Sequence, residues 1–239
     1  MAAGDARLAG MRVVVVGGSS GIGLATARAA QAEGAEVVVA SRRPDRCAEA
    51  LRGARLVVAD VADDASVERA FEEIGAFDHL VCTAASGFPA GLLRPPQEDV
   101  RELMESKFWG QYRAARAAAG RLREGGSITL TAGIRSRRPQ RGAGAFTVVN
   151  MAVEGMARAL ALELAPLRVN AVSPGTIDTA VFDGLPPDVR AKHLERAAGA
   201  TTVGRVGTAD EVAEVYLACL TNGFLTGAVI DVDGGGLLA

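Results

Sequence analysis

Residues Gly17-Gly18-Ser19-Ser20-Gly21-Ile22-Gly23 follow the β-branched run Arg12–Val16 and open a helical pattern that reaches Glu33. Glycines at such a junction let the backbone turn and approach a ligand closely. The start of the helix offers free N–H groups and the positive end of a dipole. A pyrophosphate needs both, so the strand-turn-helix context points to a dinucleotide held by Gly17, Ser19, Ser20, Gly21, Ile22 and Gly23. The next apolar run ends in Ala40-Ser41-Arg42-Arg43. An acidic residue there would hold the two ribose hydroxyls of NAD. A hydroxyl and two guanidinium groups suit a 2′-phosphate instead. Ser41, Arg42 and Arg43 therefore favour NADP(H) over NAD(H), the alternative being a solvated basic turn.

A second stretch is notable for chemistry it lacks. AFTVVNMAVEGMARALALEL, residues 145–164, has apolar residues at helical spacing. Phe146 and Asn150 lie four apart and share one face, yet neither exchanges a proton near neutral pH. Just before them, the loop 133–141 carries Arg135, Arg137, Arg138 and Arg141. It reads either as a clamp for a carboxylate- or phosphate-bearing ligand or as a solvated, subunit-contacting basic loop. Of 26 basic residues, all but Lys107 and Lys192 are arginine.

The elements that must position these residues follow from the apolar pattern. Runs at 12–16, 36–40, 55–59, 79–82, 127–131, 168–172 and 228–232 lack clean alternation, as strands buried on both faces do. Helical stretches at 64–74, 97–123, 144–164 and 209–219 separate most of them. This alternation implies right-handed β-α-β units. The expected fold is a single doubly wound, Rossmann-type α/β domain over 1–239, with a seven-stranded parallel sheet and helices on both faces. Residues 183–207 place Pro and Gly around a short helical piece, 187–198. They read as a substrate lid over the strands' carboxyl ends or as a surface excursion.

Composition narrows the function classes. The chain has 239 residues, 49% of them hydrophobic, and a net charge of −2. That balance leaves no basic footprint for nucleic acid or an acidic membrane, and aromatics at 4% leave few stacking platforms. Cys47, Cys82 and Cys219 form no Cys-x-x-Cys, and His79 and His193 have no metal-site spacing. No metal is expected. The charged, short-runned start MAAGDARLAGMRVVVV does not read as a signal peptide, and no uninterrupted apolar run nears the ~20 residues that span a bilayer. The expected location is the cytoplasm.

Taken with its later motifs, nearly the whole chain resembles the short-chain dehydrogenase/reductase family. The family's Thr-Gly-x-x-x-Gly-x-Gly matches Val16 to Gly23, with Val16 in place of threonine. Asp60-Val61 matches an adenine contact, and Arg168-Val169-Asn170-Ala171-Val172-Ser173-Pro174-Gly175 matches almost letter for letter. Gly204-Arg205-Val206-Gly207, Thr226-Gly227 and Asp231-Val232-Asp233-Gly234-Gly235 match late motifs. The resemblance implies that Asp60, Val61, Ala84, Pro174, Gly175, Ile177 and Thr179 also touch the cofactor. It further implies a homodimer or homotetramer paired through the long helices, and a carbonyl- or alcohol-directed oxidoreductase.

The resemblance breaks at the catalytic tetrad of Asn, Ser, Tyr and Lys. Ala152-Val153-Glu154-Gly155 fixes the register and puts Phe146 at tyrosine and Asn150 at lysine. Gly133 falls at serine, and Asn-x-x-Gly maps to Lys107-Phe108-Trp109-Gly110. The family's Asn-Asn-Ala-Gly reads Cys82-Thr83-Ala84-Ala85. No slip restores Tyr-x-x-x-Lys, because Arg116 and Leu220 follow Tyr112 and Tyr216 by four. Losing a positioned acid forfeits roughly 10²–10⁴-fold in rate. Asn and Lys look exchanged, so Lys107 is the candidate for the vacated role, holding the nicotinamide ribose together with Asn150; the plain alternative is a surface lysine. Three functions stay open: hydride transfer without a protein acid to a small substrate, anionic if the arginine loop clamps it, non-redox chemistry on the same scaffold, and cofactor binding without turnover.

Overall fold

The computed structural model describes residues 6–86 and 91–239; residues 1–5 of the N-terminal stretch tested for a leader lie outside them. In chain order the elements are β1 (Arg12–Val16), α1 (Gly21–Ala32), β2 (Glu36–Ser41), β3 (Arg55–Val58), α2 (Asp64–Ile74) and β4 (Phe77–Cys82). Then come α3 (Gln97–Leu103), α4 (Gly110–Ala119), β5 (Leu122–Thr131), α5 (Gly144–Glu163), β6 (Arg168–Pro174) and β7 (Ile177–Asp178). The chain ends with α6 (Pro187–Ala198), β8 (Gly207–Thr208), α7 (Ala209–Thr221) and β9 (Val229–Val232). The main sheet has seven strands in the order β3-β2-β1-β4-β5-β6-β9, all parallel. This is the doubly wound α/β domain expected from the apolar runs. β7 and β8 form a separate two-stranded pair.

Consecutive strand residues point to opposite faces, and both faces are covered. Val14, Val38, Leu80 and Ile128 pack with Phe71 of α2, Ala114 of α4 and Val153 of α5. Val13, Val15, Val37 and Val81 pack with Ala27 of α1 and Tyr216 of α7. Each buried valine side chain contributes about 1.5–3 kcal/mol of transfer free energy, so double-sided burial fixes the register firmly. At 20 residues, α5 is long and apolar enough by length and composition to cross a bilayer. Here Val149, Val153 and Ala157 are fully buried within the domain.

Strand order reverses between β1 and β4, where crossovers leave to opposite sides and open a crevice at the carboxyl ends. The helix expected over 97–123 is broken into parts. α3 passes into a wider π-helical turn, Met104–Trp109, before α4 resumes at Gly110. The inserted residue shifts the side-chain phase, and Lys107 lies within that turn. Gly110 is needed there, since a Cβ would lie 2.8 Å from Val61 Cγ2. α4 stops at Ala119, and Leu122 already pairs with Phe77. The register shift before His79 lengthens β5 beyond the expected 127–131.

Candidate functional site

A cavity of about 920 Å³ lies over the carboxyl ends of the strands at the reversal point. Its floor at one end is the glycine-rich turn. Gly17 has φ +87°, and a Cβ there would sit 2.6 Å from Ala84 N. A Cβ on Gly23 would sit 2.4 Å from both Gly17 O and Thr83 Oγ1. Ser19, Ser20, Gly21 and Ile22 line the same floor, and Gly21 faces Thr179. Ser41, Arg42 and Arg43 stand at the end of β2, and Asp60 and Val61 follow β3. Ser41 Oγ is buried without a hydrogen-bond partner. A cradle closed to a Cβ at Gly17 and Gly23, and an unpaired buried hydroxyl beside two arginines, fit a phosphorylated dinucleotide.

The other end of the cavity is walled by Lys107, Gly133, Phe146 and Asn150. Lys107 turns inward rather than to solvent: it is 8% exposed, and its Nζ donates to Ala132 O at 2.9 Å. Burial pulls its pKa down to about 8. Asn150 is 2% exposed and its Oδ1 has no hydrogen-bond partner. A Cβ on Gly133 would lie 3.0 Å from Asn150 Nδ2, so the bare glycine leaves room that the asparagine partly fills. Ala84, Pro174, Gly175, Ile177 and Thr179 complete the walls between the two ends. Every residue expected from the sequence to touch the cofactor, together with Gly133 and Phe146, thus lines one continuous cavity.

The hydroxyls of Thr131, Ser136 and Tyr216 near this end are committed elsewhere. Tyr216 OH and Thr131 Oγ1 lie 2.6 Å apart, Thr131 also bonds Cys82 O, and burial pushes the phenol's pKa up. Ser136 Oγ donates to Glu154 Oε1 at 2.5 Å. Tyr112 does not line the cavity.

A family model described as enoyl-(acyl carrier protein) reductase matches residues 16–236. The curated protein "Short-chain dehydrogenase/reductase ATR9" of Stachybotrys chlorohalonatus is 31% identical, over 96% of this chain and 98% of its own. The chain belongs to the short-chain dehydrogenase/reductase family. A small-chain dehydrogenase solved in complex with NADPH is 38% identical, with TM-score 0.85, covering 96% of this chain and 99% of the other. The MalC reductase/Diels-Alderase from Malbranchea aurantiaca superimposes with TM-score 0.89 at 28% identity, over 98% and 99%.

On this short-chain dehydrogenase/reductase fold, residues that brace or line the cavity escaped the motifs. Gln111, one turn beyond Lys107, bridges strand and helix: its Nε2 donates to Lys107 O at 2.9 Å and Thr131 O at 3.0 Å, and its Oε1 accepts from Thr131 N at 2.7 Å. Its i+4 spacing from Lys107 was the available signal. His193 of α6, packed at a tilt against Phe182 with ring centroids 4.9 Å apart, reaches the cavity from the 183–207 segment. The arginine loop divides. Arg137 pairs with Asp231 and donates to Ser173 Oγ at 3.0 Å, and Arg138 donates to Ala200 O at 2.9 Å and to Gly236 O. Arg135 and Arg141 face the cavity instead.

Proposed function

We propose that the protein is an NADP(H)-dependent oxidoreductase that moves hydride to or from a small organic substrate without the family's Ser-Tyr-Lys acid-base system. The observation that carries this is the single cavity joining the glycine-rich cradle to Lys107, Gly133, Phe146 and Asn150. Gly17 to Gly23 would hold the pyrophosphate, Ser41, Arg42 and Arg43 the 2′-phosphate, and Asp60 and Val61 the adenine end. A bound nicotinamide supplies or accepts the hydride. Asn150 Oδ1 is an open acceptor for a ribose hydroxyl. Of the four tetrad positions, only Lys107 carries a titratable group, and near neutral pH its ammonium is poised to give up a proton. Substrates that need little protein acid, such as iminium ions or activated alkenes, suit this arrangement best.

The test is a titration of NADPH fluorescence, then nicotinamide absorbance against carbonyl, imine and enone panels. Complete inactivity with cofactor bound would overturn hydride transfer. A second reading is non-redox chemistry, favoured by the reductase/Diels-Alderase named among the similar structures. Substrate consumption without change in the nicotinamide would establish it. Exposed Trp109 and Tyr112 beside α4 and Val148 and Met151 on α5 support pairing into a homodimer or homotetramer. The three buried, unpaired cysteines support a reducing, cytoplasmic setting.

A further inference from the structure

Beside the large cavity lies a second, of about 380 Å³, and the two share Arg135, Arg141 and His193 in their walls. Arg138 and Arg196 complete a set of four guanidinium groups around it, against one carboxylate, Asp233. That carboxylate is already engaged: it accepts Gly235 N at 2.9 Å and Leu237 N at 2.8 Å. Arg138 is engaged too, by the carbonyls of Ala200 and Gly236. Among the described residues, Arg135, Arg141 and Arg196 have no carboxylate partner, whereas the neighbouring Arg137 pairs with Asp231 and Glu154. Arg135 is partly buried, and both its burial and the nearby Arg138 charge disfavour its cationic form. A protein rarely holds a desolvated guanidinium against like charge unless an anion joins it.

We propose that the second cavity is a subsite for an anionic group on the substrate, a carboxylate or a phosphate monoester, with Arg135 as its principal contact and Arg141 and Arg196 closing around it. The guanidinium fork matches two oxygens of either group. Arg141 comes from the loop before α5 and Arg196 from α6, so the 183–207 segment supplies one wall. Where the substrate reacts rests on the hydride-transfer reading: the anion tethers a molecule whose reacting part extends into the larger cavity beside Gly133 and Asn150. Such remote binding also compensates for a site that offers little polarisation at the reacting atom.

The experiment uses the NADPH-saturated full chain with phenyl phosphate, phenylacetate and the neutral phenylacetamide as probes, followed by saturation-transfer NMR. The acids are expected to bind saturably and at least about tenfold more tightly than the amide. The tighter of the two acids identifies the preferred oxyanion. Arg135→Gln is expected to weaken acid binding about tenfold or more while NADPH affinity holds. Equal binding of acid and amide, or an Arg135→Gln chain that binds acids as before, overturns the proposal. If Arg135→Gln loses its folding transition, Arg196→Gln on the exposed side of α6 reads the same site; an unchanged acid affinity there overturns it as well. Failure to bind NADPH would instead strike the proposed function. The phenylacetate-over-phenylacetamide preference of the cofactor-free chain then decides the anion subsite separately.

Discussion

The two ends of the large cavity obey different rules. At the cradle, function depends on what is missing from the side chains: Gly17 and Gly23 have no space for even a methyl group. At the opposite end, function in this family depends on side-chain chemistry, and here Gly133, Phe146 and Asn150 supply no acid. Binding a dinucleotide is a demand on backbone shape; moving a proton is a demand on residue type. On the function proposed above, the glycines meet the first demand and the second falls to Lys107, so the two are separable on one fold. Lys107, buried with its ammonium on Ala132 O, is where they meet.

The largest effect is expected from Gly23→Ala, which would sharpen this contrast. Its Cβ would overlap backbone at 2.4 Å from Gly17 O, so the turn must deform. NADPH affinity is expected to fall more than about a hundredfold in a fluorescence titration, since the cradle's N–H groups lose their aim. Next in size is Lys107→Met, expected to cost about a hundredfold in kcat with NADPH affinity changed far less. The sign of its pH dependence follows from the pKa of about 8. The ammonium is the proton-giving form, so reductive turnover should fall as pH rises through about 8, and Lys107→Met should flatten that limb. Unchanged turnover and an unchanged limb in Lys107→Met would remove Lys107 from the chemistry and leave the catalytic end empty.

A smaller effect tests whether lysine and asparagine have truly changed places. Asn150→Lys alone would put a second ammonium into the buried wall that already holds Lys107. Adding Lys107→Asn removes the conflict. The double variant is expected to be more stable than the sum of the singles predicts by about 1–3 kcal/mol, read from urea midpoints. Additive singles would mean the two positions do not face one space.

The fold and the cradle were legible in the sequence because they rest on local patterns. Runs such as Val13–Val16 announce buried strands, and glycine spacing announces a close backbone approach. The inward turn of Lys107 was legible only as a scarcity of lysine, because the π-helical turn that carries it changes phase with no Gly or Pro inside it. The division of labour among Arg135, Arg137, Arg138 and Arg141 was not legible. Their partners, Asp231, Ala200 and Gly236, lie more than sixty residues away in sequence, and only tertiary packing brings them there.

Ser41→Ala is expected to give the smallest effect, and its two readouts should move in opposite directions. Ser41 Oγ is buried and unpartnered, so it weakens the ligand-free chain by leaving a desolvated hydroxyl unpaired. Replacing it with alanine should therefore raise the Tm of the ligand-free protein by about 2–4 °C, the shift that ~1 kcal/mol produces in a chain of this size. The same change removes a donor beside Arg42 and Arg43, so NADPH should bind about fivefold more weakly while NADH is unaffected. A hydroxyl kept for packing alone would lower Tm and leave both cofactors alone. Opposite signs would show that the cradle, like the wall at Asn150, holds a polar atom unsatisfied until the ligand arrives. Both ends of the cavity would then be prepared for binding in the same way, and their difference would lie in proton chemistry alone.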